Sequence, residues 1–130
     1  MAFQCTVVTP EHQAFEGTIS QAILPAHDGL IGVLTDRAPL LVKLGVGVLR
    51  LDQAGEQKHY FLVDGGIAQM KDNRLTILTS EATPAQDIDI REAEAEYAEA
   101  LAMHPTNEKA LQERQRRLAH ATAKRGLARK

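Results

Sequence analysis

Tryptophan is absent from this 130-residue chain, and three phenylalanines and two tyrosines are its only aromatic residues. A core, if there is one, must be aliphatic. Cysteine occurs once, as Cys5, which excludes an internal disulfide. In an alternating apolar run such a cysteine reads as a small buried hydrophobe rather than a reactive thiol. No run approaches the roughly 20 apolar residues that span a bilayer as a helix. Met1-Ala2-Phe3-Gln4 has neither a basic nor an apolar signal region, and it lacks the Arg- and Ser-rich character of a transit peptide. The expectation is a soluble intracellular protein without membrane insertion.

Catalytic signatures are also missing. There is no Gly-x-x-x-x-Gly-Lys-Ser/Thr loop, which excludes P-loop nucleotide hydrolysis. Gly45-Val46-Gly47 is followed by Arg50 where a dinucleotide fingerprint needs its last glycine. His12, His27, His59, His104 and His120 stand at no metal-ligand spacing from one another or from Cys5. His27-Asp28 is the best acid–base candidate, and a small hydrolase could be built on it. It sits in a turn, however, where a solvated loop pair is the plainer reading. Ser20 and Ser80 lie in no nucleophile-elbow context. No catalytic residue, metal or cofactor is expected.

What the chain does contain is aliphatic and charged: 44% of residues are hydrophobic and 25% are charged. Up to about Ser80 the apolar period is two and turn signals recur. Phe3, Cys5 and Val7 alternate with Gln4 and Thr6, and Thr9-Pro10-Glu11 turns the chain. Strand-like runs follow at Thr18–Leu24, Leu30–Leu34, Leu40–Leu44, Val48–Leu51, Lys58–Val63, Ile67–Met70 and Leu75–Thr79. Asp28-Gly29, Asp52-Gln53-Ala54-Gly55, Asp64-Gly65-Gly66 and Lys71-Asp72-Asn73-Arg74 read as turns between them. Short β-branched runs at this spacing, with no helical pattern separating them, predict an antiparallel sandwich or barrel.

From Glu81 onward Ala and Glu dominate, both good helix formers. Thr83-Pro84 fits an N-cap followed by a first-turn proline, and Asp89 with Glu92 fits a second possible capping box. Ala93, Tyr97, Ala100 and Leu101 share one helical face. His104-Pro105-Thr106-Asn107 stops this helix and caps another, in which Leu111, Leu118 and Ala121 form a stripe and Gly126 is the predicted end. The stripes are thin, so the hairpin would be marginal alone and free to change partners.

The net charge of −2 hides an asymmetry. Residues 1–80 carry −2, residues 81–104 carry −6 and residues 105–130 carry +6. Two adjacent helices of opposite charge are suited to pair. The basic set is Lys109, Arg114, Arg116, Arg117, Lys124, Arg125, Arg129 and Lys130. The alternative reading is a stand-alone β-sandwich with a nucleic-acid-binding tail. Against it, no aromatic residue is interleaved after Tyr97 to stack on bases. A solvated face meeting an acidic partner is the plainer reading, and no nucleic acid is expected.

Three ordered stretches are similar to the epsilon subunit of bacterial F-type ATP synthases. Asp28-Gly29-Leu30-Ile31-Gly32-Val33-Leu34-Thr35-Asp36-Arg37-Ala38-Pro39-Leu40-Leu41 resembles that family's acidic-Gly loop, strand and His-Ala-Pro-Leu-Leu turn. Tyr60-Phe61-Leu62-Val63-Asp64-Gly65-Gly66-Ile67 resembles its aromatic-apolar strand entering a Gly-Gly turn. Leu75-Thr76-Ile77-Leu78, running through Thr79–Ala82 to Gln86-Asp87-Ile88-Asp89, resembles its last strand and the approach to its first helix. Val7-Val8-Thr9-Pro10 and Phe15-Glu16-Gly17 match its opening.

The resemblance implies a sandwich of about ten short strands (residues 1–82) and a two-helix regulatory hairpin (residues 83–130). It implies a non-catalytic rotor subunit of the central stalk. Such a subunit links the gamma subunit to the c ring of a proton-translocating synthase, on the cytoplasmic face of a bacterial inner membrane. The helices, extended along the stalk, would inhibit ATP hydrolysis by meeting the alpha and beta catalytic subunits. The matching ring or stalk contacts are His27, Asp28, Gly29, Leu30 and Arg37, the last standing where the family usually has histidine. Arg114, Arg117, Lys124 and Arg125 are the candidate inhibitory contacts. Some members bind ATP through Ile/Leu-Asp-x-x-Arg-Ala. This chain has Ile88-Asp89-Ile90-Arg91-Glu92-Ala93, with the arginine one position early and a carboxylate in its place. One residue is about 100° of helical rotation, so ATP binding through Asp89 and Arg91 is expected to be weak or absent.

Overall fold

The computed structural model describes residues 2–55 and 57–128. Eight strands are formed among the described residues: β1 (Phe3–Val8), β2 (Gln13–Ile19), β3 (Gln21–Ala26), β4 (Gly29–Leu34), β5 (Leu40–Asp52), β6 (Lys58–Lys71), β7 (Arg74–Leu78) and β8 (Ala82–Pro84). A 3-10 turn at Ala85–Asp87 leads to α1 (Ile90–Leu101) and α2 (Glu108–Ala128). The strand order is β2-β1-β7-β6-β5-β3-β4, with β8 also paired to β6. β1 and β7 pair in parallel, and the other pairings among the described residues are antiparallel.

Two long strands join the layers. The first half of β5 (Leu40–Leu44) and the last part of β6 (Ile67–Lys71) pair with each other, and β6 goes on to β7. The second half of β5 pairs with β3, and the first half of β6 with β8. The runs Leu40–Leu44 and Val48–Leu51 are thus one strand, as are Lys58–Val63 and Ile67–Met70. The sandwich and the hairpin of the sequence reading are present, with short runs fused in pairs.

Asp64-Gly65-Gly66, read as a turn, instead lies inside β6 as a bend. Gly66 has φ +111°, and a Cβ there would sit 2.0 Å from the Leu78 carbonyl oxygen. The bend therefore requires glycine. The Thr79 hydroxyl donates to the Gly65 carbonyl (2.7 Å) and Ser80 to that of Asp64 (2.6 Å), fastening it. The run Thr18–Leu24 is conversely split, because the Ser20 N–H turns to the Asp52 carbonyl at 2.7 Å. The other turns stand as read. Asp72 and Asn73 have φ of 52° and 56°, the backbone of a tight two-residue hairpin.

Phe3, Cys5 and Val7 of β1 are buried with Ile19, Leu24, Val33, Leu49, Leu51, Met70, Leu75 and Ile77 in one core. Every member lies in the sandwich. Burial pushes the Cys5 thiol up to about 12, as befits a core hydrophobe. Leu62 is fully buried too but stands outside this core. Its neighbours Phe61 and Val63 face the core, so Leu62 faces the side on which α2 lies against β5 and β6.

α1 begins at the second of the two capping signals. The Asp89 carboxylate accepts the Arg91 N–H at 2.8 Å. Thr83-Pro84 caps nothing, because residues 82–84 pair with β6 and sheet pairing overrides the local signal. Asn107 caps α2 by accepting the Ala110 N–H at 2.8 Å. The predicted end at Gly126 is passed, and α2 runs to Ala128 with Leu127 buried. Burying that leucine offsets the roughly 1 kcal/mol that a mid-helix glycine costs.

Candidate functional site

α1 and α2 form an antiparallel pair in which α2 lies against β5 and β6, and charge decides the contacts between the two helices. α1 has Glu92, Glu94 and Glu96 on the turns facing α2. Lys124 Nζ lies 3.0 Å from Glu92 and 3.2 Å from Glu96, and Arg125 Nε lies 2.9 Å from Glu94. The Arg125 guanidinium also sits 4.3 Å above the Tyr97 ring. Burial lowers the Lys124 pKa, but the two glutamates outweigh it and the net shift is upward.

Nearer the sandwich, Arg116 reaches Asp64 of β6 at 2.7 Å and Glu113 at 3.1 Å. Arg117 also bonds Glu113, at 3.1 Å. Arg116, then Arg117, hold the Glu113 carboxyl down at about 2. Arg114 points to the C-terminal end of α1, 3.5 Å from the Leu101 carbonyl. Its Nε is the buried side-chain polar atom left without a partner among the described residues.

The centre of the junction is His120. Its Nε2 lies 2.9 Å from Glu81, on the segment leaving β7, and its Nδ1 is hydrogen-bonded to Glu96 of α1. The Thr83 hydroxyl donates to the other Glu81 oxygen at 2.9 Å. The bond to His120 lowers the Glu81 pKa despite partial burial. A cleft of about 360 Å³ opens here, lined by Asp64, Glu81, Glu96, Glu99, Arg116 and His120. Ligand atoms of Asp64, Glu81 and His120 come within 4.8 Å of one another. A guanidinium already occupies Asp64, and both imidazole nitrogens are engaged, so the cluster is built as an ion-pair network.

The sequence-predicted residues fall in separate places. His27 and Asp28 form the exposed β3–β4 turn, with Gly29 at φ +140° and Leu30 73% exposed at the start of edge strand β4. Arg37 is exposed in the loop beyond the other end of β4, where Asn73 holds Asp36. The whole of β4, six residues or about 20 Å, separates it from the turn at His27-Asp28. Asp89 serves as the α1 cap and Arg91 is exposed in its first turn. Arg114, Arg117, Lys124 and Arg125 lie together on α2, each engaged within the chain; Arg129 and Lys130 lie outside the described residues. Sequence reasoning missed Asp64, Glu81, Glu96 and His120. Their available signal was the spacing Arg117, His120, Lys124 on one face of α2, matching Glu92 and Glu96 on α1.

Comparison with known proteins bears on this arrangement. Residues 2–85 match the family model described as ATP synthase, Delta/Epsilon chain, beta-sandwich domain. The ATP synthase epsilon chain of Rhodopirellula baltica is 43% identical over 103 residues, 79% of this chain and 80% of that one. The chain belongs to the ATP synthase epsilon family. The Rippkaea orientalis epsilon chain aligns over 99% of this chain and 94% of its own length at 34% identity, so the likeness includes the hairpin. A chain in the cryo-EM structure of the Euglena gracilis mitochondrial ATP synthase shares the fold, with a TM-score of 0.85 at 21% identity over 94% of this chain and 78% of that one. This epsilon-family chain is accordingly an accessory subunit of the synthase and not a catalytic one.

Proposed function

We propose that this subunit works in the central stalk of an F-type, proton-translocating ATP synthase. Residues 1–82 bind the gamma subunit and the c ring, and the hairpin of residues 83–130 restrains ATP hydrolysis. The observation that carries this reading is the contrast in how the two parts are held. The sandwich has a complete core of its own. α2 rests on it at the pairs Arg116–Asp64 and His120–Glu81, and a belt of ion pairs with a few small buried residues joins α2 to α1. Such a belt can be exchanged for acidic surfaces on the alpha and beta subunits by Arg114, Arg117, Lys124 and Arg125 once the hairpin extends.

The exposed turn His27-Asp28-Gly29-Leu30 is the proposed ring contact, supported by its outward-facing Leu30. Arg37, at the other end of β4, serves a separate stalk contact. No helix among the described residues is long and apolar enough to cross a membrane. The proposed location, peripheral on the cytoplasmic face, rests on the family resemblance. Asp89 is spent as a helix cap and Glu92 is paired with Lys124. ATP binding stays weak or absent, and micromolar affinity in a titration of the isolated chain would contradict this.

The test is ATP hydrolysis by the complex lacking this subunit, titrated with the full chain and with a chain ending at Asp87, which keeps β8. Inhibition by the full chain alone supports the reading. Equal rates with both deny the hairpin an inhibitory role.

A further inference from the structure

A single imidazole on α2 is bonded at the same time to α1 and to the segment leaving the sandwich. Both of its partners, Glu96 and Glu81, are carboxylates. An ionised carboxylate only accepts, so both ring nitrogens must carry a proton for both bonds to form. A neutral imidazole has one N–H, and its other nitrogen would turn a lone pair toward a carboxylate. The His120 side chain is only 14% exposed, so water cannot freely replace the lost bond.

Part of the α2 seat is open. A groove of about 750 Å³ runs between α2, at Leu118, Ala119, Thr122 and Ala123, and the strands beneath, at Pro25 and Val48 among others. Apolar packing therefore leaves much of the holding to the polar junction.

We propose that His120 is a proton-operated latch: protonated, it fastens the hairpin to the sandwich, and its deprotonation frees the hairpin at that point. The charged groups facing it are Glu81 and Asp64 from the sandwich, Glu96 and Glu99 from α1, and Arg116, Arg117 and Lys124 from α2. When His120 loses its proton, Glu96 keeps Lys124. Glu81 keeps the Thr83 hydroxyl but, among the described residues, no hydrogen-bonded cation. The release is therefore on the sandwich side.

The direction follows from the same contacts. Glu81 raises the His120 pKa above its ordinary 6.5, burial pulls against it, and Glu96 adds to the rise. The stabilisation is complete below the ordinary value and fades as pH climbs through the raised one. Glu81 titrates below its ordinary value, so its share is lost only in stronger acid. The hairpin is thus held in mild acid and loosened on the alkaline side. If the hairpin inhibits as proposed above, the extended form becomes more available as pH rises.

Amide hydrogen exchange on the full isolated chain, from pH 6 to 9, tests the latch. Opening of α2 should rise with pH relative to β5 and β6, by at most about tenfold per pH unit between the two histidine values. His120→Gln should abolish the slope. Glu81→Gln should lower the imidazole titration followed by NMR and move the slope to lower pH. A flat wild-type profile, or a slope that survives His120→Gln, would overturn the proposal. These readouts need no synthase. A hairpin that opens as described but fails to inhibit would leave the latch standing and remove the inhibitory reading.

Discussion

The two parts of this molecule are stabilised by different means. In the sandwich the fully buried side chains are large: Ile19, Leu24, Leu49, Leu51, Met70, Leu75 and Ile77. Each contributes about 1.5–3 kcal/mol on burial. Among the described residues of the hairpin the buried ones are Ala93, Ala100, Ala121 and Leu127, and three of those four offer one methyl each. Ion pairs fill the remainder, and exposed pairs contribute roughly 0–1 kcal/mol apiece. A part held by a core unfolds as a unit. A part held by replaceable charges can leave while the rest stays folded. That difference suits a rigid coupling domain bearing a movable regulator.

The largest effect should come from the core. Leu51→Ala should cost about 3 kcal/mol in urea unfolding, within the usual range for a buried leucine. Gly66→Ala should cost at least about 2 kcal/mol, because φ is positive and the new methyl meets the Leu78 carbonyl. In the hairpin, Ala121→Asp forces a carboxylate into a fully buried position. α1 and α2 should become protease-sensitive while the urea transition of the sandwich moves by less than about 0.5 kcal/mol. A loss of sandwich stability as large as that of Leu51→Ala would break the comparison.

Replacing Arg114, Arg117, Lys124 and Arg125 together by alanine should weaken inhibition several-fold at low salt, with the gap closing at high salt. Leu30→Asp should leave stability unchanged and weaken binding to the gamma–c-ring assembly about fivefold, or about 1 kcal/mol. Arg117→Ala alone should be smallest, under about 0.5 kcal/mol on stability, since its pair with Glu113 is a solvated one on the same helix.

Most of the architecture was legible locally. Period-two runs gave the strands, and positive-φ residues at Gly29, Gly55, Asp72 and Asn73 confirmed the turns read from composition. The errors share a cause. Asp64-Gly65-Gly66 carries every local mark of a reversal, yet β5 pairs continuously on both sides of it. Thr83-Pro84 carries the marks of a helix start, yet β6 recruits it as a strand. Gly126 carries the mark of a stop, yet Leu127 has a place to be buried. In each case a contact distant in sequence outweighed a preference of about 1 kcal/mol.

The sequence by itself determined the sandwich, the two helices, their opposite charges and the family. All of these rest on short-range periodicity, composition and ordered motifs. Only the tertiary structure decided which charges meet. Glu81, Glu96 and His120 are separated by 15 and 24 residues in the chain, and no local rule links them. They converge because β8 returns to β6 and α2 folds back along α1. The junction that holds the hairpin is therefore a product of topology.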